Sequence, residues 1–173
     1  MIIKGLRDED FLQYKLPSMF IAFPSCTFKC EKECNCKGMC QNSTLAKAPS
    51  IELSAKDIID RYNTNPISKA LVLGGLEPFD SFQAVLELLA EYRKVTNEPF
   101  IIYTGYRKDE IKSMTYCTHW SHGKVEYSYL EQLMHYPNII LKFGRYVPNQ
   151  TPHYDEVLGV ELASDNQYAE KIS

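Results

Sequence analysis

The most regular feature of the hydrophobic pattern is a set of short apolar runs separated by longer, more polar stretches. The runs cover residues 18–24, 69–75, 99–104 and 138–143. Nearly continuous apolar runs of this length, bounded by Gly, Pro or Asn, are typical of strands that are covered on both faces of a sheet. We therefore predict four buried strands.

The stretches between these runs carry apolar residues at helical spacing and predict helices. The longest helix is expected to begin at Asp80 or Ser81, with one apolar face made by Phe82, Val85, Leu86, Leu89 and Tyr92. A second helix is expected to follow Ser54, because serine is a favoured N-cap residue, and to end at residues 63–66.

The rest of the chain gives weaker patterns. We predict short helices from Lys108 and over residues 127–136, and an irregular segment over residues 115–123. The tail after Pro148 is expected to be mostly loop, with a short strand at its end.

Strands that alternate with helices predict an α/β fold with parallel pairing and right-handed crossovers. Such folds bind their ligands in the loops that follow the carboxyl ends of the strands. The cysteine-rich loop at 24–42 and the glycines Gly74, Gly75, Gly105 and Gly144 all follow predicted strands. A chain of 173 residues is expected to form a single domain, 1–173, with its own hydrophobic core.

Charge and hydropathy exclude several classes of function. The net charge is −3 with both signs mixed along the chain, so no nucleic-acid partner is expected. The apolar runs are too short to span a membrane. The charged run at 7–10 fits no secretory signal, so we expect a cytoplasmic protein in a reducing compartment, which argues against disulfides.

Five of the six cysteines lie within residues 24–42, and this is the densest reactive chemistry in the chain. Cys26 and Cys30 are separated by three residues, and Cys40 is followed directly by Gln41-Asn42. Several thiolates presented from one short segment suit an iron–sulfur cluster. They also suit a structural zinc site or a disulfide framework, and the loop alone leaves these alternatives open.

Four segments together resemble the radical S-adenosylmethionine superfamily and, within it, the activators of anaerobic (class III) ribonucleotide reductase. That family carries Cys-x3-Cys-x2-Cys followed by an aromatic or polar residue and Asn, which Cys26, Cys30 and Cys40 with Asn42 resemble. Residues 74–78, Gly-Gly-Leu-Glu-Pro, resemble its Gly-Gly-Glu/Asp-Pro strand end. Residues 103–106, Tyr-Thr-Gly-Tyr, and 164–167, Ser-Asp-Asn-Gln, resemble segments of the reductase activators.

The resemblance implies a fold, two cofactors and a set of binding residues. The fold would be an incomplete (β/α) barrel of mostly parallel strands. A [4Fe–4S] cluster held by Cys26, Cys30 and Cys40 would keep one iron open for S-adenosyl-L-methionine, and no further catalytic residue is implied. The residues expected to contact these cofactors are Asn42, Gly74, Gly75, Glu77, Tyr103, Thr104 and Gly144.

Two departures from the family pattern concern the site. Nine residues separate Cys30 from Cys40, so we expect Cys34 and Cys36 to belong to an insertion, where they could bind a second metal with Cys117, His119 or His122. In addition, Leu76 interrupts the Gly-Gly-Glu-Pro pattern and leaves the role of Glu77 open. Glu77 is expected to pair with an ammonium group.

The resemblance also implies partners. The protein substrate would be the large subunit of anaerobic ribonucleotide reductase, and a flavodoxin or ferredoxin would supply electrons. Two alternatives remain. One is a small-molecule radical enzyme similar to 7-carboxy-7-deazaguanine synthase, whose motif places its gap between the first and second cysteines. The other is a zinc-binding module without catalytic activity.

Overall fold

The four predicted strands form the centre of a six-stranded sheet in the computed structural model, which describes residues 1–120 and 123–173. In chain order the strands are β1 (Ile2–Ile3), β2 (Gly5–Asp10), β3 (Ser18–Phe23), β4 (Ile51–Glu52), β5 (Leu71–Gly75), β6 (Phe100–Tyr103), β7 (Thr115–Trp120), β8 (Gly123–Ser128), β9 (Ile139–Phe143), β10 (His153–Asp155), β11 (Val160–Leu162) and β12 (Tyr168–Lys171). The helices are α1 (Lys29–Cys34), α2 (Ser43–Lys47), α3 (Ala55–Thr64), α4 (Phe82–Val95), α5 (Lys108–Ser113) and α6 (Tyr129–Met134), with a 3-10 turn at Pro78–Ser81.

The strand order of the sheet is β12-β9-β6-β5-β3-β2. The four central strands are parallel, with Leu71 opposite both Met19 on β3 and Phe100 on β6, and Phe100 opposite Ile139 on β9. This register confirms the predicted parallel pairing. Strands β2 and β12 pair antiparallel at the two edges, and in the described residues they do not pair with each other. The incomplete barrel therefore stays a prediction.

Alternate residues of the central strands serve two apolar clusters. Ile21, Leu73, Ile102 and Leu141 join the larger cluster, which also contains the apolar faces of α3 and α4. Val72, Ile101 and Ile140 point to the other face, where they meet Tyr14, Leu158 and Leu162. Because both faces are covered, the strands read as continuous apolar runs.

Helix α3 begins where the sequence predicts. Ser54 accepts a hydrogen bond from Asp57 N at 3.0 Å while the Asp57 carboxylate accepts from Ser54 N, which makes a capping box. None of the helices that the structure describes is both long and apolar enough to cross a bilayer.

Two expectations about weaker segments are wrong, whereas the expected short strand at the end of the tail is confirmed as β12. Residues 115–120 form β7 rather than an irregular segment, and Tyr127 belongs to β8 instead of a helix, while 121–122 lie outside the described residues. Alternating β-branched and aromatic residues favour the strand. The tail contains a β10–β11 hairpin, whose three-residue strands are too short to give a periodic signal. Edge strand β2 was missed because its sequence, GLRDED, is mostly charged.

Candidate metal centre

A cavity of about 670 Å³ lies at the carboxyl ends of β3, β5, β6 and β9. The structure brings all of the sequence-predicted site residues to its walls. They are Cys26, Cys30, Cys40, Asn42, Gly74, Gly75, Glu77, Tyr103, Thr104 and Gly144. Parallel pairing explains this convergence, since it places all four strand ends at the same edge of the sheet.

Three half-buried cysteines on this cavity carry free thiols. They are Cys26, Cys30 and Cys40. Cys30 and Cys40 lie close enough to interact directly, and Cys26 Sγ accepts a hydrogen bond from Phe28 N at 3.2 Å. Among the described residues, no three His, Cys, Asp or Glu side chains form a group that could hold a metal ion.

One side chain of the insertion, that of Glu31, holds Cys40 at the cavity. Glu31 Oε1 accepts a hydrogen bond from Cys40 N at 3.0 Å, across nine positions of sequence. Phe28 and Asn35, on either side of α1, both adopt left-handed backbone conformations with φ of 52°. These two reversals and the Glu31 bond place Cys40 beside Cys30 despite the nine residues between them.

Cys34 and Cys36 lie apart from the other three cysteines. Neither lines the cavity, and the two are joined in a disulfide with their Cα atoms 5.2 Å apart. The expectation that a reducing compartment leaves all cysteines free is wrong for this pair, because a single intervening residue brings the two sulfurs together. The proposed second-metal ligands Cys117, His119 and His122 lie outside the residues whose side chains the structure describes.

The cavity opposes thiolate formation in the metal-free chain. Burial raises the pKa of the Cys26 thiol to about 12, and the nearby carboxylates of Glu77 and Asp80 add to the effect. Burial also raises the pKa of Cys30, with a further contribution from Cys40. A metal that binds these sulfurs must displace their protons, and its positive charge compensates for the unfavourable environment. Three free thiols line one cavity, which is the number of protein ligands of a cluster with one open iron, but in the described residues they are not drawn together into a metal-holding group.

Gly75 ends β5 in a conformation that few other residues adopt, with φ of 77°. A Cβ at this position would lie 2.8 Å from Ala22 Cβ and 2.9 Å from Ala22 Cα on the neighbouring strand. Asn42, which follows the cysteines, donates from Nδ2 to Gly75 O at 2.5 Å. The strand end and the closing part of the cysteine loop are therefore in direct contact.

Glu77 is buried beside the cavity and accepts three hydrogen bonds from the chain, two at Oε1 and one at Oε2. Its carboxylate accepts from Thr104 Oγ1 at 2.8 Å, Gly105 N at 2.8 Å and Phe79 N at 3.1 Å. Burial raises the pKa of Glu77 to about 7, although these three hydrogen bonds favour the ionised form. The predicted ammonium partner would have to share these oxygens with the chain's own donors. Leu76 is buried and keeps an ordinary negative φ.

The side chains after β6 also bond within the chain. Tyr103, which lines the cavity, donates its hydroxyl proton to Gln13 O at 2.5 Å. Thr104 Oγ1 accepts from Tyr106 N at 2.9 Å while donating to Glu77. Thr104 therefore orients Glu77 instead of presenting a free hydroxyl.

The tail segment 164–167 supports the end of β9. Gln167 Nε2 donates to Gly144 O at 3.2 Å, and Asn166 Nδ2 donates to Arg145 O at 2.9 Å. Gly144 has φ of 95°, and a Cβ there would lie 2.8 Å from Asn166 O. These contacts give a structural reason for the Ser-Asp-Asn-Gln motif, which would otherwise lie in a loop remote from the cysteines.

Sequence reasoning missed two buried cations at this edge. Lys142, on β9, is 6% exposed, and burial lowers its pKa to about 7 while the charge of Glu77 opposes that change. Arg145 is 7% exposed and makes two hydrogen bonds of 2.8 Å to the Glu110 carboxylate. The available signal was a lysine inside an otherwise apolar run, since lysine is almost never buried unless it is paired.

Free thiols at a cavity formed by parallel strand ends are compatible with an iron–sulfur or a zinc site, and comparison with known families indicates iron–sulfur. The family model described as "4Fe-4S single cluster domain" matches residues 18–151, from the start of β3 to beyond β9. The chain belongs to this family. No curated protein and no solved structure matches it.

Proposed function

We propose that the protein is a radical S-adenosyl-L-methionine enzyme that activates anaerobic ribonucleotide reductase. The observation that carries the proposal is the meeting of three free cysteines with Gly75 and Glu77 on one cavity. A cluster with three protein ligands keeps one iron open, and the adjoining strand end offers close backbone approach and a carboxylate. The tail segment 164–167, which the resemblance assigns to such activators, supports the same cavity.

Cys26, Cys30 and Cys40 would hold a cluster that could supply the one electron needed to cleave S-adenosyl-L-methionine to methionine and a 5′-deoxyadenosyl radical, and that radical would take a hydrogen atom from a glycine of the reductase. The chain itself would bind S-adenosyl-L-methionine, orient it at the cluster and exclude water from the site. Backbone at Gly74 and Gly75 would lie against the ligand, and Glu77 would face its ammonium group as a charge-assisted acceptor. Asn42 and Gly144 would complete the rim of the site.

Two partners follow from this chemistry. The protein substrate is the large subunit of anaerobic ribonucleotide reductase, and a flavodoxin or ferredoxin supplies the electron. We further propose that the sheet is part of an incomplete barrel. Its edges at β2 and β12, which are not joined in the described residues, would then leave a lateral opening for the glycine-bearing loop.

The deciding experiment is anaerobic reconstitution followed by electron paramagnetic resonance of the reduced protein with and without S-adenosyl-L-methionine. We expect about four irons per chain and a spectrum that the ligand perturbs, because it binds the open iron. Product analysis should then show 5′-deoxyadenosine, and addition of the reductase subunit should yield a glycyl radical signal.

The other outcomes separate the alternatives. A perturbed spectrum and 5′-deoxyadenosine without a glycyl radical would favour a small-molecule radical enzyme. A cluster spectrum that S-adenosyl-L-methionine leaves unchanged would remove the radical chemistry altogether. Zinc in place of iron would leave a binding module without catalytic activity.

A further inference from the structure

The first part of the cysteine loop is held by polar contacts and not by burial in the core. None of the residues in α1 or α2 is buried, and Cys26, Thr27 and Cys30 are half-buried or exposed. Hydrogen bonds to the 3-10 turn therefore fix where the first two cysteines lie. One joins Glu77 N to Ser25 O at 2.8 Å, and another joins Thr27 N to Asp80 Oδ2 at 2.8 Å.

Asp80 depends in turn on Tyr106. The Tyr106 hydroxyl donates to Asp80 Oδ1 at 2.6 Å, so the two carboxylate oxygens join the tyrosine to Thr27 N. Thr27 directly follows Cys26. The hydroxyl of Tyr106 thus orients the carboxylate that holds the backbone next to the first cysteine.

The Tyr106 ring reaches the second cysteine by a different contact. Lys29 Nζ lies 4.6 Å from the ring centroid, within the range of a cation–π interaction, and Lys29 directly precedes Cys30. The Arg145 guanidinium lies 5.6 Å from the same centroid. One ring therefore contacts a cation from the cysteine loop and another from the end of β9.

Tyr106 is itself held firmly by two strand ends. It is 5% exposed, its N donates to Thr104 Oγ1 at 2.9 Å, and its carbonyl accepts from Gly144 N at 3.1 Å. The ends of β6 and β9 therefore fix the position of the Tyr106 ring, and the contacts of that ring fix the position of the cysteine loop.

We propose that Tyr106 is a positioning residue for the cluster: its hydroxyl, through Asp80, locates Cys26, and its ring, through Lys29, locates Cys30. Cys40 depends on this arrangement only indirectly, through its hydrogen bond to Glu31, the residue that follows Cys30. The proposal concerns the cysteines themselves and stands whether or not the ligand of the cluster is S-adenosyl-L-methionine.

The test measures alkylation of individual cysteines by iodoacetamide in the metal-free full-length chain, read by mass spectrometry. Tyr106→Phe keeps the ring and loses the hydroxyl, so we expect alkylation of Cys26 to rise about tenfold, the equivalent of one charge-assisted hydrogen bond. Cys30 and Cys40 should be unchanged. Tyr106→Leu, which also loses the ring, should expose both Cys26 and Cys30 and raise alkylation of Cys40 less, because Cys40 is linked to the ring only through Glu31.

A matched control is available at the other end of the sheet. Tyr62 is 4% exposed and donates its hydroxyl to Glu98 Oε2 at 2.5 Å, so Tyr62→Phe removes a bond of the same kind far from the cysteines. It should change none of the three alkylation rates. In the reconstituted protein, Tyr106→Phe should also shift the paramagnetic resonance signal of the cluster, and Tyr62→Phe should not.

Equal increases at all three cysteines would show general loosening and overturn the proposal, as would unchanged rates in both Tyr106 variants. If Tyr106→Leu fails to fold, Lys29→Met serves as the second variant. It removes the cation that contacts the ring and keeps the hydroxyl bond to Asp80, so alkylation of Cys30 should rise while that of Cys26 is unchanged.

Discussion

Two strand ends that lie side by side at this cavity continue in opposite ways. After β3 the chain enters the cysteine loop, whose helices contain no buried residue. After β5 it enters the turn Leu76–Ser81, where Leu76, Pro78 and Phe79 are all buried. The difference indicates that the wall of the site is preformed by the core, whereas the ligand-bearing loop relies on polar contacts and on the metal that it binds.

The largest expected effect falls on the ligand-bearing loop and is loss of the cluster. Cys26→Ala, Cys30→Ala and Cys40→Ala should each abolish stable iron binding, because each removes one of three ligands. Iron and sulfide analysis after anaerobic reconstitution measures the outcome.

The matched controls come from the insertion. Cys34→Ala and Cys36→Ala break the disulfide but remove no thiol from the cavity, so iron content should stay near the wild-type value. Retention of iron in Cys40→Ala together with its loss in Cys34→Ala would reverse the ligand assignment.

The second largest effect falls on the preformed wall. Phe79 is 3% exposed and packs beside the stacked pair of Phe82 and Tyr129, with ring centres 5.7 Å and 6.1 Å away. Phe79→Ala should lower the free energy of unfolding by about 3–5 kcal/mol, as buried aromatic truncations do. Urea unfolding of the metal-free protein measures it.

Phe28→Ala provides the comparison on the loop side. Phe28 is half-buried and sits in the cysteine loop, so its truncation should cost much less stability than that of Phe79. Equal losses for the two variants would contradict the contrast between a core-supported wall and a polar-contact loop.

A third prediction concerns the strand end itself. Gly75→Ala adds a Cβ within 2.9 Å of Ala22 backbone at a positive φ, so we expect a loss of about 1–3 kcal/mol from strain. Gly38 also has a positive φ, but a Cβ there would have nothing within 4 Å. Gly38→Ala therefore measures the cost of the backbone conformation without a steric contact. Thermal unfolding of both variants should show the larger decrease in Tm for Gly75→Ala.

The sequence predicts the preformed part of the molecule well, for a clear physical reason. Buried parallel strands are encoded locally, as apolar runs, and their pairing brings the strand-end residues together without further information. The ten site residues that the family resemblance implies all line the cavity at these strand ends. Gln41-Asn42, which directly follow Cys40, likewise favour Cys40 over Cys34 as the third cluster ligand.

The polar contacts that hold the loop could not be predicted in the same way. Thr27 and Asp80 are 53 positions apart, and Tyr106 lies another 26 beyond Asp80, so no local pattern relates them. Lys142 was likewise hidden, because one lysine within an apolar run does not reveal that its amine bonds to Gly144 O at 2.9 Å inside the cavity. Such contacts depend on the folded backbone and not on residue spacing.

The smallest predicted effect concerns the joint between wall and loop, where Arg145 binds Glu110 and also lies 3.4 Å from the carboxylate of Glu33 in the insertion. Hydrogen bonds from Arg145 lower the pKa of Glu110 to about 2. Because this pKa is lower when folded than when unfolded, the pair stabilises the protein above about pH 4.5, and the contribution is lost as the pH falls toward 2.

Glu110→Gln should therefore lower the urea midpoint of the metal-free protein at pH 7 and reduce its dependence on pH between about 4.5 and 3. Glu91→Gln is the control, because Glu91 pairs with Lys94 on the surface and such pairs contribute little. If Glu110→Gln and wild type lost stability in parallel on acidification, Glu110 would not be the group that titrates, and the acid sensitivity would belong to other carboxylates. If instead only Glu110→Gln lost less stability on acidification than the wild type, the result would show that Arg145 joins α5 to the end of β9. From there the Arg145 guanidinium also reaches the inserted part of the cysteine loop.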